Sequence, residues 1–214
     1  MRCVSVLCVV AGVCALGAEA PDLSHLDFRG ATAGQLPKGW TATQTGKGKG
    51  SVWKAVEDES SPDGGKALAQ VAADAPEGLF NLCVAEAPRV QDLDLTVSFK
   101  ATAGNTDQGG GPVWRYQDAD NYYIARMNPL EDNFRVYKVV KGRRMQLGDA
   151  EVTAAAGKWH TIRVVHTADH IQCYLNGKLH LDVKDDAIKA AGQIGLWTKA
   201  DAQTRFAGLK VSGK

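Results

Sequence analysis

Polar and aromatic residues that could recognise a sugar are concentrated between residues 118 and 147. Arg126 follows Ile124 at two-residue spacing, and Tyr137 follows Arg135 in the same way, so each pair lies on one face of a strand. Sugars offer many hydroxyl groups and a weakly apolar face, which planar donors and acceptors bind together with an aromatic platform. The predicted substrate-binding residues are Trp114, Tyr116, Asn128, Asn133, Arg135, Tyr137 and Trp197.

The same region supplies groups that could carry out acid–base chemistry. A general base is available in Glu131 or a histidine, and a cation for a developing oxyanion in Arg126 or Arg144. The predicted catalytic residues are therefore Glu131, Arg126 and Arg144. A structural role stays equally open for two of them, because an ion pair between Arg126 and Glu131 could close the loop between two strands.

The spacing of the acidic residues and histidines disfavours a metal site. Asp118, Asp120 and Asn121 carry oxygen atoms suited to calcium, but the remaining carboxylate and glycine of an EF-hand loop are missing, so we predict an ordinary turn. The five histidines include no HExxH pair, although His160 and His166 share one face of a strand. No metal ion and no other cofactor are predicted.

Length and charge restrict the classes of partner. The chain of 214 residues is long enough for one domain with a sizeable core. Its 25 lysines and arginines nearly balance 24 acidic residues, so no strong positive field attracts a polyanion. Nucleic acid is therefore not an expected partner.

The first twenty residues have the pattern of a secretory signal peptide. Arg2 is followed by an apolar run over residues 4–16 and by a small-x-small motif at residues 18–20. The run is shorter than the roughly 20 apolar residues that cross a bilayer, so we predict no membrane span. The predicted organisation is a signal peptide at residues 1–20 and one domain at residues 21–214, in a secreted or periplasmic protein.

Removal of that segment would leave two cysteines, Cys83 and Cys173. An oxidising compartment favours a disulfide bond if the geometry permits one. Both residues also lie in strand patterns, where a cysteine often acts as a small buried hydrophobe. The sequence leaves both states open.

Short runs of period two extend through most of the remaining chain. Residues 93–99 alternate between apolar and polar side chains, and Asn176-Gly177 separates two further runs with a strong hairpin signal. About a dozen strands without a helical layer predict an all-β fold, a two-sheet antiparallel β-sandwich. An opening strand is expected at residues 25–28, followed by a long loop, and one short helix at residues 185–191.

The chain resembles the concanavalin A-like lectin/glucanase superfamily in NYYIARMNPLEDNFRVYKVVKGRRMQL, GKWHTIRVVH, IQCYLNGKL and GQIGLWTKADAQTRFAGLKV. Within this laminin G-like jelly-roll superfamily it is similar to the 3-keto-disaccharide hydrolase domain family of exported bacterial proteins. The resemblance covers residues 28 to 211 and implies a jelly roll with a concave sheet for sugar. The family's final strand usually ends in Phe-Asp, whereas this chain has Phe206-Ala207, so no role of that aspartate carries over.

Two functions follow from the resemblance and the residues together. As an enzyme the protein would act on an oxidised glycoside, because a ketone at C3 acidifies the hydrogen at C2 and allows elimination of the C1 substituent. As a non-catalytic module it would bind glycans or another protein through the same sheet. The chain lacks the E-x-D-x-x-E and E-x-D-x-E patterns of family 16 glycoside hydrolases, which favours the module.

Overall fold

The computed structural model describes residues 26–213. Over that range the chain forms fourteen strands and no α-helix, so the predicted all-β fold is confirmed. In chain order the strands are β1 (Trp40–Thr45), β2 (Trp53–Asp58), β3 (Gly65–Gln70), β4 (Phe80–Val90), β5 (Leu93–Ala103), β6 (Gly111–Asp118), β7 (Asn121–Asn128), β8 (Asn133–Val140), β9 (Arg143–Glu151), β10 (His160–Thr167), β11 (His170–Leu175), β12 (Lys178–Lys184), β13 (Gly192–Lys199) and β14 (Gln203–Gly213).

The strands pair antiparallel in two sheets of seven. The front sheet has the order β1-β4-β13-β6-β7-β8-β9, and the back sheet has the order β12-β11-β10-β5-β14-β3-β2. Each sheet has an apolar face, and the two apolar faces pack on each other because neither could remain in water without a large free-energy cost. Strands β6 to β9 form a continuous meander in the front sheet, which brings the residues between 111 and 151 together.

Strand β5 shows how the alternating pattern produces the core. Leu93, Leu95, Val97 and Phe99 are buried, and the polar residues between them are partly exposed on the other face. The predicted two-sided strand is confirmed. Its register with β10 places Val97 opposite Ile162, which extends the same apolar layer across the back sheet.

The Asn176-Gly177 hairpin connects β11 to β12 as predicted. Both turn residues have positive φ, which these two residue types accept readily. Ile171 pairs with Val183 and Cys173 with Leu181, but the register shifts after Cys173. Leu179 therefore points outward and its relative exposure is 40% instead of the burial expected from strict alternation.

Three expectations about local structure were wrong. Residues 26–28 form no strand, although Leu26 and Phe28 are buried in the core. Residues 185–191 form an irregular connection with bends and no helix, and Asp185 accepts hydrogen bonds there from the Ala187 amide and the Tyr123 hydroxyl. Strand β1 lies where a long loop was expected. The signal-peptide prediction falls on residues outside those described.

The two cysteines of the described range are free thiols buried in the core. Cys83 lies on β4 of the front sheet and Cys173 on β11 of the back sheet. Burial raises the pKa of both thiols because an apolar environment disfavours the thiolate. Within residues 26–213, no helix is long and apolar enough to cross a membrane.

Candidate functional site

The outer face of the front sheet carries a second apolar cluster, on the side away from the core between the sheets. Side chains alternate along β7, so Tyr123 and Ala125 enter the core while Tyr122 and Ile124 lie on the outer face. We call the five rings on this face the aromatic cluster: Phe80, Tyr116, Tyr122, Tyr137 and Trp197. They come from β4, β6, β7, β8 and β13, so neighbouring strands of one sheet assemble them.

The rings of the aromatic cluster contact each other in pairs. The centroids of Phe80 and Trp197 are 5.4 Å apart, and those of Tyr116 and Tyr122 are 5.9 Å apart. The Tyr122 hydroxyl forms a 2.7 Å hydrogen bond with Thr45 Oγ1 on the neighbouring edge. Burial raises the pKa of Tyr122, which keeps this phenol neutral.

Arg144 on β9 extends its guanidinium over the aromatic cluster. Its Cζ lies 4.6 Å from the ring centroid of Tyr137, 5.0 Å from that of Phe80 and 5.7 Å from that of Trp197. Among the described residues Arg144 has no ion-pair partner, and its buried Nη1 has no hydrogen-bond partner. Burial lowers the pKa of the guanidinium, because a low-dielectric environment disfavours its charged form.

Next to the aromatic cluster, hydrogen-bond donors converge on one oxygen of Glu131. Its Oε2 accepts from Arg126 Nη2 at 3.0 Å, Asn133 Nδ2 at 2.9 Å and Arg135 Nη1 at 3.4 Å. No described group donates a hydrogen bond to Oε1, and the side chain is 38% exposed. One carboxylate oxygen is thus anchored while the other is open to a ligand.

The anchoring contacts also set the protonation of Glu131. Partial burial favours the neutral acid, but the hydrogen bond from Asn133 and the charges of Arg126 and Arg135 outweigh it. The pKa of Glu131 consequently lies below its usual value, and the group is an ionised acceptor at neutral pH.

Arg126 is only 2% exposed, and its Nη1 and Nη2 are engaged inside the protein, whereas its buried Nε has no hydrogen-bond partner. Besides Glu131 it donates to Asn133 Oδ1 at 2.9 Å and lies 3.9 Å from Asp107 Oδ2. This guanidinium fixes other side chains in place. The ion pair with Glu131, one of the two roles left open by the sequence, is present, and Glu131 keeps a free oxygen within it.

Asp107 and Lys199 belong to the same face and were missed in the sequence. Asp107 is 1% exposed, its Oδ1 accepts from Asn128 Nδ2 at 3.2 Å, and its Oδ2 lies 3.2 Å from Lys199 Nζ. Burial raises the pKa of Asp107 although Arg126 and Lys199 act in the opposite direction. The run of three glycines that follows, at residues 109–111, was the available signal, since such a run allows a loop to pass close to a sheet.

Most of the residues predicted from the sequence lie on this outer face. The structure brings together Tyr116, Arg126, Asn128, Glu131, Asn133, Arg135, Tyr137, Arg144 and Trp197. Arg135 also pairs with Asp149 on β9, at 3.0 Å. The predicted turn at residues 118–121 is present, where Asp118 accepts from Asn121 Nδ2 at 2.8 Å.

Trp114 is the exception, because it lies in the core between the sheets and is fully buried. Its Nε1 donates to His166 Nδ1 at 2.8 Å, so the indole is engaged on the opposite side of the front sheet from the aromatic cluster. A ligand on the outer face could not contact it. His166 is buried there as well, so it is not a base for the outer face. No group of three or more metal-ligating side chains occurs among the described residues.

The sequence of residues 31–212 matches the 3-keto-alpha-glucoside-1,2-lyase-like domain family. The chain belongs to this family. The family resemblance of residues 28 to 211 is thereby confirmed. No curated protein sequence matches the chain.

Several solved structures share the fold. The carbohydrate-binding module CBM66 from Bacillus subtilis is 20% identical, with a TM-score of 0.65 over 82% of this chain and 96% of that one. Domain 4 of AbnA, an extracellular arabinanase from Geobacillus stearothermophilus solved with arabinotriose, is 12% identical, with a TM-score of 0.53 over 79% and 81%. The GH43 protein BlXynB from Bacillus licheniformis is 17% identical, with a TM-score of 0.52 over 76% of this chain and 37% of that one. These likenesses establish the jelly-roll type of sandwich.

Proposed function

We propose that this chain binds carbohydrate on the outer face of the front sheet and cleaves 3-keto-glycosides there, by elimination followed by hydration. The observation that carries the proposal is that one face of the sheet holds both Arg144, which has no ion-pair partner among the described residues, and Glu131, a carboxylate anchored through one oxygen. Family membership and the carbohydrate-related structures of the same fold support the substrate class. Export, predicted from residues 1–20, belongs to the same proposal.

The arrangement of charges suits removal of a proton next to a ketone. Oε1 of Glu131 would take the hydrogen from C2, and the electron pair would move onto the C3 oxygen as an enolate. Arg144 would stabilise that oxygen, because its unpartnered Nη1 already lies in a buried environment where a hydrogen bond to an anion is strong. Phe80 and Tyr116, the two partly exposed rings of the aromatic cluster, would provide the apolar platform for the sugar ring, above the buried rings of Tyr122, Tyr137 and Trp197.

Arg126 has a supporting role in this proposal. Its contacts with Glu131, Asn133 and Asp107 occupy it, and its low exposure leaves no route to a substrate. It holds Glu131 in a fixed orientation, as a catalytic base requires. Arg144 is therefore the stronger of the two candidates for the enolate oxygen.

A non-catalytic carbohydrate-binding module is the second candidate. The observation in its favour is the lowered pKa of Glu131, because a carboxylate stabilised by three donors is a weak base. The same face would then hold an unmodified glycan through the two partly exposed rings of the aromatic cluster, Phe80 and Tyr116, with Arg144 and Glu131 as hydrogen-bonding partners.

The two candidates differ in turnover. Purified protein would be mixed with 4-nitrophenyl 3-keto-glucoside and with 4-nitrophenyl glucoside, and release of nitrophenol measured. We expect release from the keto compound alone. Glu131→Gln and Arg144→Gln should each lower kcat about 100-fold, in the range for loss of a general base or an oxyanion donor.

Arg163→Gln is the matched control for Arg144→Gln. Arg163 also stacks on a ring, with its Cζ 5.1 Å from the centroid of Tyr174, but it lies on the outer face of the back sheet. Its replacement should leave kcat unchanged. Saturable retention of unmodified glycan without turnover of either compound would favour the binding module.

A further inference from the structure

Lys199 adds a third charged group to the outer face of the front sheet. It lies at the end of β13, two residues after Trp197 and opposite Phe80 in the register with β4. Two rings of the aromatic cluster are therefore its immediate neighbours. The side chain is 15% exposed and Asp107 is its only ion-pair partner among the described residues. An ammonium ion has three N–H donors, so two remain for a ligand.

A short chain of contacts fixes Lys199 relative to Glu131. Lys199 Nζ lies 3.2 Å from Asp107 Oδ2, which lies 3.9 Å from Arg126 Nη2, which in turn lies 3.0 Å from Glu131 Oε2. The charge of Lys199 also contributes to lowering the pKa of Glu131, as expected for groups of one cluster. The ammonium and the open carboxylate oxygen thus belong to one network.

The loop before β6 holds Asp107 in its position between Lys199 and Arg126. Asp201 accepts hydrogen bonds from the amides of Asn105 at 2.7 Å and of Asp107 at 3.0 Å, which clamps the loop. A Cβ at Gly104 would lie 2.0 Å from the carbonyl oxygen of Asp107, and one at Gly109 would lie 2.2 Å from that of Met127. The loop can take this path only because both positions are glycine.

Elimination from a 3-keto-glycoside requires a second proton transfer, which the base and the oxyanion donor do not supply. When the bond between C1 and the glycosidic oxygen breaks, that oxygen leaves with the electron pair. An alkoxide is a poor leaving group unless it receives a proton. We propose that Lys199 is the general acid that protonates the leaving oxygen, and that Asp107 is the residue that positions it. This inference rests on the proposed elimination.

The elimination has two steps, removal of the C2 proton and departure of the C1 substituent. Glu131 takes the proton from C2 and the enolate forms at C3. The enolate then collapses to the ketone, the C1–C2 double bond forms, and the leaving oxygen takes a proton from the Lys199 ammonium.

The hydration step reverses both transfers with water in place of the aglycone. The neutral Lys199 amine takes a proton from water, whose oxygen bonds to C1, and protonated Glu131 returns a proton to C2. Both side chains regain their starting states, and the net reaction is hydrolysis.

The test compares two aglycones in the same 3-keto-glucoside. 4-Nitrophenolate is a stable anion and leaves without protonation, whereas methoxide must receive a proton in order to leave. With Lys199→Met we expect the rate of aglycone release in a single turnover, which reports the elimination alone, to fall at least about 100-fold for the methyl compound and less than about fivefold for the nitrophenyl compound, the range for loss of general acid catalysis. Asp107→Asn should show the same selectivity in weaker form.

Lys199→Arg distinguishes proton transfer from charge alone. Arginine keeps the positive charge and the donors but cannot release a proton at these pH values, so methyl turnover should remain low. Lys178→Met, at an exposed position on the back sheet, should leave both rates unchanged. The melting temperature of each variant checks that it folds.

Three outcomes would each overturn the assignment of Lys199 as the general acid. They are an equal loss of rate for both aglycones in Lys199→Met, no loss of rate for either, and recovery of the rate on the methyl compound in Lys199→Arg. Those outcomes leave the proposed elimination intact, because the wild-type protein still turns over the nitrophenyl compound. Absence of wild-type turnover on either compound would instead remove the proposed function, and the role of Lys199 with it.

Discussion

At the scale of single residues, the site separates anchoring groups from groups that remain available. Arg126 is buried and engaged, while Glu131 keeps an open oxygen and Arg144 keeps an unpartnered donor. The structural ion pair that the sequence left open is present, and the site role of Glu131 remains our proposal. We expect stability to depend mainly on the arginine and function on the glutamate.

Arg126→Met should lower the free energy of unfolding by about 3 kcal/mol. The substitution leaves the buried Asp107 carboxylate near one cation in place of two, and removing one member of a buried ion pair is costly. Glu131 is much more exposed, so Glu131→Gln should cost less than about 1 kcal/mol. Urea unfolding followed by circular dichroism measures both values.

The two variants should also differ in activity. Glu131→Gln keeps the fold and loses turnover of the keto substrate, as proposed above. A large loss of stability in Glu131→Gln, or none in Arg126→Met, would contradict this division of roles.

At the scale of elements, the close approach of β6 and β7 depends on a glycine. A Cβ at Gly111 would lie 1.9 Å from the carbonyl oxygen of Ala125, which is backbone and cannot move aside. Gly111 pairs with Trp197 in β13, so the position joins three strands that carry the site. The glycine run in the sequence is thus a packing requirement of the front sheet.

Gly111→Ala should destabilise the protein by about 2 kcal/mol or more, since the added methyl group forces the two strands apart. Gly30→Ala is the control, because a Cβ there meets no atom within 4 Å and should change stability by less than about 0.5 kcal/mol. Thermal unfolding of the two variants gives the comparison. Similar melting temperatures would show that the strands relax easily.

At the scale of the whole molecule, a hydrogen bond joins the two sheets through the core. Trp114 on β6 of the front sheet donates to Nδ1 of His166 on β10 of the back sheet. Burial, and secondly the charge of Arg115, lower the pKa of His166 to about 4, against the smaller opposing effects of the Ala168 backbone and of the Asp92 and Asp185 charges. The folded protein therefore holds this histidine neutral.

The free energy of unfolding should fall as the pH decreases from about 6.5 to about 4, because in this range His166 is protonated in the unfolded chain but not in the folded chain. A shift of this size is equivalent to about 3 kcal/mol. His166→Asn retains a hydrogen-bond acceptor but does not titrate, so its stability should depend less on pH in that window. Urea unfolding at a series of pH values tests this, and equal slopes for both proteins would refute it.

The sequence by itself determined most of the strands and the composition of much of the site. The alternation of apolar and polar residues predicted the buried face of β5, and Asn176-Gly177 predicted the hairpin between β11 and β12. Both predictions depend only on local properties of the backbone. Arg126, Glu131 and Tyr137 were predictable as neighbours because β7 and β8 are consecutive strands of a meander. The family was also recognisable at this level.

Only the tertiary structure decided which residues from distant parts of the chain lie next to Arg126 and Glu131, and on which face of the sheet each side chain lies. Trp114 and Tyr116 are two residues apart in β6, so strict alternation would place both rings on the same face. Arg115 between them has a φ of 45° and the register with β7 shifts there. The Trp114 ring therefore enters the core, whereas the Tyr116 ring lies on the outer face. Asp107 lies close to both Arg126 and Lys199 because β6 lies between β7 and β13 in the front sheet, although the three residues are far apart in the chain. Such contacts depend on strand order and on local bulges, which a period-two pattern does not encode.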